Sequence, residues 1–540
     1  MTKQKISIYF ICLAAAIAAL GVLTGRMDFT STPTVQPTEI KTKYGSFLAA
    51  QHAIYVNDFD AASKFTNDFA DVEYTTVKNT RILSDFLAGK MPSDADMKML
   101  KKEKSTTSRM IYDAHLVRNN AWEELYQRHA KDNSALFAPL RIWSAINLNR
   151  KTETLKFIDK LPTNDSWKAF IRGQIFVEQG NIKQAAEEFA NVKPEFMNLM
   201  DYLYLMSFYY EFGYYEDADI LRDDFVSTPS GMFLANYQDI PKWSVFAGSR
   251  NALSFNLIQT VSHTKVMLYS DIALLMLRFA EITGNNEPIF ADAIKYYSGQ
   301  FLYNIDGNFV DMFNKINRDS PFYSFGQIRI AEKENNMRLL KKILRHQPLF
   351  VPALERMVAG HIQIGNKHGA IKTINKALNN KELPDFGRAY LLKRRAYVYM
   401  VFDDFKAAQA DIHDATKLSS MDAEILSIQS RIWAAQGKKL DDAYDYSMAL
   451  IKKNPTDIFA WDTVGSVVLV REGPNAALEI YEQVSKTANS CSSLFEHTGD
   501  VYSLLGDKQK AKNAYLRAID LASDGLVIVP KIEKKIRKLK

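Results

Sequence analysis

Towards its C-terminal end the chain repeats itself at an interval of about 34 residues, the length of one pair of antiparallel helices with its turns. Trp461 and Phe495, Gly465 and Gly499, Ala477 and Ala511, and Tyr481 and Tyr515 each stand one such interval apart, and Ala443 precedes Ala477 by the same step. A single helix pair cannot bury its apolar face alone and must stack on copies of itself. Length therefore does not count domains here. At roughly 100–200 residues per domain, 540 residues would otherwise read as three or four globular domains.

The spacing within a unit has a physical reading. A small residue at Gly465 or Gly499 lets the two helices of a unit approach, and Ala477 or Ala511 does the same from the second helix. Tyr481 and Tyr515 are expected to fill the gap between units, and Gly506 to sit at the turn, where positive φ is free of a Cβ penalty. Pro455 closes the earlier unit. Together these residues resemble the tetratricopeptide repeat (TPR), W-x2-L-G-x2-Y, then A-x3-F, then P. Thr498 and Ser427 depart from the usual apolar residues, which affects the unit count and not the fold. The resemblance implies an all-α, TPR-like α-solenoid: a right-handed superhelix of helical hairpins whose concave groove binds protein partners.

Weaker copies run upstream. Phe405, Ala408, Ile412 and Ala415 follow a helix over 388–400, and Gly365, Ala370, Ile374 and Ala377 mark another unit. Gly173, Phe176, Gly180, Ala185 and Phe189 are a good copy, followed by Tyr202, Met206, Tyr209, Gly213 and Ala218. Residues 44–65 read as helix, turn at Asn57-Asp58, helix. Two degenerate units surround Asn119 and Asn149, and 270–300 reads as a hairpin turning at Gly284-Asn285. Residues 227–262 look irregular, a joint between two arrays. The expected parts are an N-terminal segment 1–25, a Thr/Pro-rich spacer 26–43, a degenerate array 44–260, a TPR array 261–522 and a basic capping helix 523–540. About twelve or thirteen hairpins are expected.

The N-terminus and the charge restrict the setting. Ile6 to Gly25 is twenty residues without a charge, preceded by Lys3 and Lys5. Twenty apolar residues in a helix span ~30 Å, enough for an inner-membrane anchor. The alternative is a cleaved signal peptide, since Ala19 and Gly21 supply small residues. Either way the body is expected in the periplasm of a bacterium, single-pass if anchored. Cys12 follows no lipobox, and Cys491 is the other cysteine, so no disulfide framework exists. Net charge is +6, yet the last ten residues, KIEKKIRKLK, carry six basic residues and one acid. The body is near neutral, which argues against a nucleic-acid partner. Ile532, Ile536 and Leu539 form one apolar face of that tail, as a cap would need.

Catalytic signatures are absent from the sequence. G-x-S-x-G, G-x-G-x-x-G and H-E-x-x-H do not occur. Gly360 to Lys367 lacks the Lys-Ser/Thr of a phosphate loop, and His361 and His368 straddle a turn. The pairs Asp223-Asp224, Asp403-Asp404 and Asp441-Asp442 read as solvated helix ends, because neighbours on a helix point apart. No enzyme, cofactor or metal is expected.

Two places suggest a binding groove. Eight of the fourteen residues 202–215 are aromatic. Tyr202 and Tyr209 fall at packing positions, whereas Tyr204, Tyr210 and the adjoining Glu211 fall where a first helix lines the groove. Aromatic side chains there suit peptide or glycan. Lys393 and Tyr397 are expected on the same face of a later first helix, and Lys393, Arg394 and Arg395 form a basic triplet read as a solvated face. The stretches AAQHAIYVNDFDAA, DSPFYSFGQIRIA, FGRAYLLKRRAYVYMVFDDFKAAQADI and PKIEKKIRKL further resemble envelope TPR proteins of alphaproteobacterial type, which carry an N-terminal signal or anchor. That resemblance implies a membrane-anchored periplasmic scaffold for protein–protein interaction. The alternative is an envelope polysaccharide or peptidoglycan assembly factor that binds glycan or its machinery.

Overall fold

The turn between paired helices is written into two adjacent residues. At Gly180-Asn181, Asn335-Asn336, Gly365-Asn366, Asp403-Asp404 and Gly506-Asp507 the first residue adopts a left-handed conformation. The second caps the next helix: the side chains of Asn336, Asn366 and Asp507 accept from backbone N–H groups three residues on at 3.1, 2.8 and 3.0 Å. The first helix is closed by a bond from the capping residue's N–H to the carbonyl five back, as in Asp404 to Tyr399 at 2.8 Å and Asp507 to Tyr502 at 2.9 Å. Left-handed backbone suits glycine, and asparagine and aspartate tolerate it best among the others. The Asp403-Asp404 pair is thus a turn and a cap.

In this computed structural model residues 42–539 are described, except 56–57, 73, 135, 227–247, 264–269, 284–287, 305–308, 382, 419–421 and 487–489. The expected anchor, Cys12, most of the spacer and the Gly284-Asn285 turn lie outside the described residues. No strand occurs among those described. No helix among them is long and apolar enough to cross a membrane. The chain divides into two compact units at Pro92 and Ser93. In the first, α1 (Lys43–Tyr55), α2 (Phe59–Thr66) and α3 (Thr75–Leu87) enclose Ala50, Ala53, Ala62, Phe65 and Phe69.

The second unit opens with the short α4 (Asp94–Leu100). Four hairpins follow: α5 (Thr106–Arg118) with α6 (Trp122–His129), α7 (Ala138–Asn147) with α8 (Lys151–Lys160), α9 (Asp165–Glu178) with α10 (Ile182–Phe189), and α11 (Leu199–Glu211) with α12 (Tyr215–Val226). Next come α13 (Ser249–His263), α14 (Ser270–Ile282), α15 (Pro288–Asn304) and α16 (Phe309–Asn314). Six further hairpins are α17 (Pro321–Lys333) with α18 (Met337–His346), α19 (Val351–Gln363) with α20 (Lys367–Leu378), α21 (Asp385–Val401) with α22 (Phe405–Leu418), α23 (Ala423–Ala435) with α24 (Leu440–Lys453), α25 (Ile458–Arg471) with α26 (Pro474–Ser485), and α27 (Ser492–Leu504) with α28 (Lys508–Asp520). The last helix is α29 (Val529–Lys538). Left-handed residues mark the turn of each hairpin: Asn120, Asn149, Gly180 and Gly213 in the first set, and Asn335, Gly365, Asp403, Gly437, Gly473 and Gly506 in the second.

Each strongly marked hairpin closes on a contact between a glycine and an aromatic ring of the paired helix. A Cβ on Gly465 would lie 2.5 Å from Tyr481 Cζ, and one on Gly499 would lie 2.5 Å from Tyr515 Cδ1. Gly173 faces the Phe189 ring in the same way. The aromatic ring therefore lies over the glycine of its own hairpin, and the Tyr481 ring also reaches His497 of the next unit, centroids 6.5 Å apart. Trp461 ties back to the preceding unit, its indole N–H donating to the Pro455 carbonyl at 2.8 Å.

The expected joint is also revised. Residues 227–247 lie outside the described residues, but 249–263 form the regular helix α13, for a reason given below. Because the Tyr515 ring fills the space where a side chain at 499 would go, Gly499→Ala should lower the stability of the C-terminal hairpins by ~1–3 kcal/mol through overpacking. Urea unfolding followed by helical circular dichroism measures this, and an unchanged midpoint would contradict the close approach.

Candidate functional site

In a stacked hairpin the first helix turns one side to its partner helix and another inward. In the second set, the inward sides of α19, α21, α25 and α27 converge on residues 521–539. Arg356 donates to the Ser523 carbonyl at 2.9 Å, and the Tyr397 hydroxyl donates to the Leu526 carbonyl at 3.3 Å. Gly525, left-handed at φ 72°, presses on Ala359 of α19. Ile528 reaches Gly365 at the turn after α19. Asp524 caps α27 by accepting from the Ser492 N–H at 2.7 Å and the Ser492 hydroxyl at 2.6 Å. Val527, Ile528 and Ile532 are buried. Lys531 pairs with Asp403 at 3.1 Å, and Lys535 with both Glu496 and Asp500 at 2.7 Å. The tail thus does more than cover the last hairpin: it runs back along the inner face to helices several repeats earlier, Ser523 lying 167 residues after Arg356.

The fit leaves space. A cavity of about 230 Å³ separates Leu526, Ile528, Lys531 and Lys535 from Met400, Arg431, Ser466 and His497. A second, of about 500 Å³, lies between Ser523, Val529, Pro530 and the Ala359–Ile364 edge of α19. A third, of about 380 Å³, opens between Leu526 and Arg394, Glu424 and Phe459.

The first set is filled differently. The helix α13 lies along the inward sides of α5, α7, α9 and α11. Arg250 donates to the Val117 and Arg118 carbonyls at 2.9 and 2.8 Å, at the C-terminal end of α5. Asn256 accepts from the Trp143 indole at 2.6 Å and donates to Gln174 at 2.9 Å. Gln259 and His263 both meet Asp201, each at 2.7 Å. Phe255 stacks on Phe170 with ring centroids 5.7 Å apart and packs on Tyr204 with centroids 4.9 Å apart. Buried polar groups paired across helices in this way fix one register.

The comparisons with known proteins bear on the last hairpin. The family model described as Tetratricopeptide repeat matches residues 497–524. That stretch holds Gly499, Tyr502, Ala511 and Tyr515, the residues whose register continues upstream. That last hairpin is therefore similar to a tetratricopeptide repeat. Among solved structures, a TPR protein from Parabacteroides merdae ATCC 43184 is 13% identical, with a TM-score of 0.32, covering 53% of this chain and 98% of that one. The APC/C hetero-tetramer Cut9–Hcn1 is 14% identical, with a TM-score of 0.32, covering 92% of this chain and 98% of that chain. No curated protein matches this one.

Against the TPR frame, each site residue read from the sequence has a definite place. Tyr204 faces inward but is only 3% exposed, because α13 covers it. Tyr210 is 39% exposed beside Tyr215, ring centroids 6.0 Å apart, and Glu211 is exposed next to it. Lys393 is 8% exposed, with Asp422 at 2.6 Å and Glu424 at 3.0 Å. Burial opposes its charge, yet Glu424 and Asp422 hold the ammonium above its usual pKa. Tyr397 is buried against the tail. Only Lys393 and Tyr397 share a helix with the tail-facing surface. The basic triplet is not a solvated face: Arg394 pairs with Glu355 and Arg395 with Asp411.

Those pairs belong to a ladder that sequence reasoning missed. Opposite charges on successive first helices meet about one repeat apart: Arg394 with Glu355, Lys393 with Glu424, Arg431 with Asp462, His497 with Asp462. Its centre is the fully buried Asp462. One carboxylate oxygen takes Arg431 at 3.0 Å and the Ser493 hydroxyl at 2.7 Å, and the other meets His497 Nδ1 at 2.7 Å. A serine, a histidine and an aspartate in contact invite comparison with a hydrolase triad, and the geometry is wrong for one. A triad histidine holds aspartate and serine on opposite ring nitrogens. Here Ser466 approaches the same nitrogen as Asp462, at 3.4 Å, and Ser493 bonds to the carboxylate itself. Opposite charges spaced about one repeat apart on first helices are the signal that could have found the ladder. Among the described residues no group of three His, Cys, Asp or Glu is arranged to hold a metal.

Burial alone would raise the Asp462 pKa, but His497 and Arg431 hold it down to about 2. With the folded value depressed, its stabilising contribution is complete above the unfolded carboxylate value and is lost as pH falls from about 4 to about 2. Asp462→Asn should cost ~3–5 kcal/mol at neutral pH, because Arg431 loses its buried partner. It should also flatten the loss of stability on acidification. Urea unfolding of both proteins at pH 7 and pH 3 checks this, and parallel acid slopes would contradict it.

Proposed function

We propose that this chain is a non-catalytic, membrane-anchored scaffold of a bacterial envelope. Residues 6–25 hold it in the inner membrane, or direct its export if they are cleaved, and the body works in the periplasm. The observation that carries the binding role is that the inner face of α19–α27 already holds a stretch of polypeptide, a short 3-10 turn and loop leading into α29, partly through its main-chain carbonyls. A face that reads backbone and carries apolar seats is suited to protein partners. The uncharged run Ile6–Gly25, with Lys3 and Lys5 before it, supports the anchored topology. The resemblance to envelope TPR proteins of alphaproteobacterial type supports the setting.

The glycan alternative needs Tyr204 together with Tyr210. Burial of Tyr204 under α13 leaves Tyr210 with Tyr215 as an isolated exposed pair, so the protein-binding reading is preferred. A reporter active only in the periplasm, fused after Lys43, should be active; activity only from a cytosolic reporter would overturn the location. Affinity isolation of the full chain from solubilised membranes should recover a stoichiometric protein subunit. Retention on glycan alone would overturn the partner class.

A further inference from the structure

The tail and α13 both fill inward faces, but they are held by different means. The helix α13 is locked by buried side-chain hydrogen bonds to three first helices and by the part-buried Arg250 on main-chain carbonyls of a fourth. The tail is gripped through two of its carbonyls, the Asp524 carboxylate on Ser492, one glycine, three buried apolar side chains and two lysines; three cavities lie beside it, against one of about 410 Å³ beside α13 at Gln259, Thr260 and His263. The grip defines a chemistry. Arg356 and Tyr397 ask only for main-chain carbonyls, one in a 3-10 turn and one in the loop that follows it. Ala359 demands glycine, since a Cβ on Gly525 would lie 2.5 Å from the Ala359 Cα. Asp403, Glu496 and Asp500 ask for cations one helical turn apart.

We propose that this face is a receptor for a protein partner's segment of that chemistry, a glycine-containing apolar turn followed by a lysine-bearing helix, and that residues 521–539 are its resident competitor. The proposal rests on the scaffold reading and adds to it the partner's chemistry and the step that gates binding. A partner must displace the tail, so its apparent affinity is reduced by the fraction of time the face is free.

The probe is a fluorescent peptide spanning residues 521–539. The hosts are the full chain, its Gly525→Val variant, and a Lys531→Glu/Lys535→Glu variant that spares the apolar seats should Gly525→Val fail to fold. Both variants should bind the peptide about tenfold or more tighter than wild type, because the resident is released. A peptide carrying the two glutamates should lose that binding. Cys491 gives a second readout. It is buried in the same apolar cluster as Ala522 and Val527, and burial pushes its thiol up to about 12. In a Cys12→Ser background it should be alkylated faster in the variants, and added peptide should restore protection. Equal peptide binding and equal Cys491 labelling in all three folded chains would overturn the proposal, making the tail a permanent part of the core. Concentration-dependent dimers of wild type that disappear in both variants would assign the receptor to a second copy's tail and overturn the foreign partner. Peptide binding needs no cellular subunit, so a failed affinity isolation would sink the scaffold reading and leave the receptor standing.

Discussion

A helical hairpin in a stacked array buries one side of its first helix against its own second helix and its neighbours. The opposite side has nothing to pack on unless the superhelix is left open to solvent or a ligand. In this chain most of the rest follows from how that leftover surface is dealt with. The first set of hairpins covers it with α13, and the second covers it with the C-terminal tail. Hairpins with similar turns and similar glycine–aromatic contacts thereby end covered by two different segments, an internal helix and the C-terminal tail.

The distinction is physical and not only topological. Along α13 the buried amides and carboxylate are nearly all matched, and an unmatched one would cost ~1–3 kcal/mol, so sliding or leaving is penalised at every step. Along the tail the polar contacts are through main-chain carbonyls, the Asp524 cap on Ser492, an exposed Lys531 and a largely buried Lys535. Carbonyl contacts can be met by another chain that makes the same turn. Release of the tail therefore exposes groups that a successor can satisfy, which does not hold for α13.

What the sequence made legible divides along the same line. The repeat register, the turns at Gly365 and Gly506, and the packing of Ala477 and Ala511 are local, recur once per hairpin, and are each visible without a partner. The fate of the inward face is not local. Tyr204 sits on a first helix as its register implies, but Phe255, which covers it, comes from α13, beyond the end of the Tyr204 hairpin. Tyr397 meets Leu526 across 129 residues, and no period connects them. The basic triplet misled for a related reason: Glu355, Glu424 and Asp411 lie on neighbouring helices, so three adjacent cations look solvated in one dimension and are paired in three.

The charge of the tail is clarified by the same contacts. Its lysines account for most of the formal excess of positive charge, and in the folded chain Lys531 and Lys535 answer Asp403, Glu496 and Asp500. The Lys531 pair is exposed and contributes little to stability, whereas burial opposes the charge of Lys535 and two carboxylates hold it above its usual pKa. Apolar burial of Val527, Ile528 and Ile532 supplies most of the attraction. The lysines contribute orientation and selectivity instead, fixing which way an occupant lies and excluding acidic ones. A surface that gets its affinity from non-directional burial and its discrimination from a few rim charges can exchange one basic apolar segment for another, and that is the property a regulated scaffold needs.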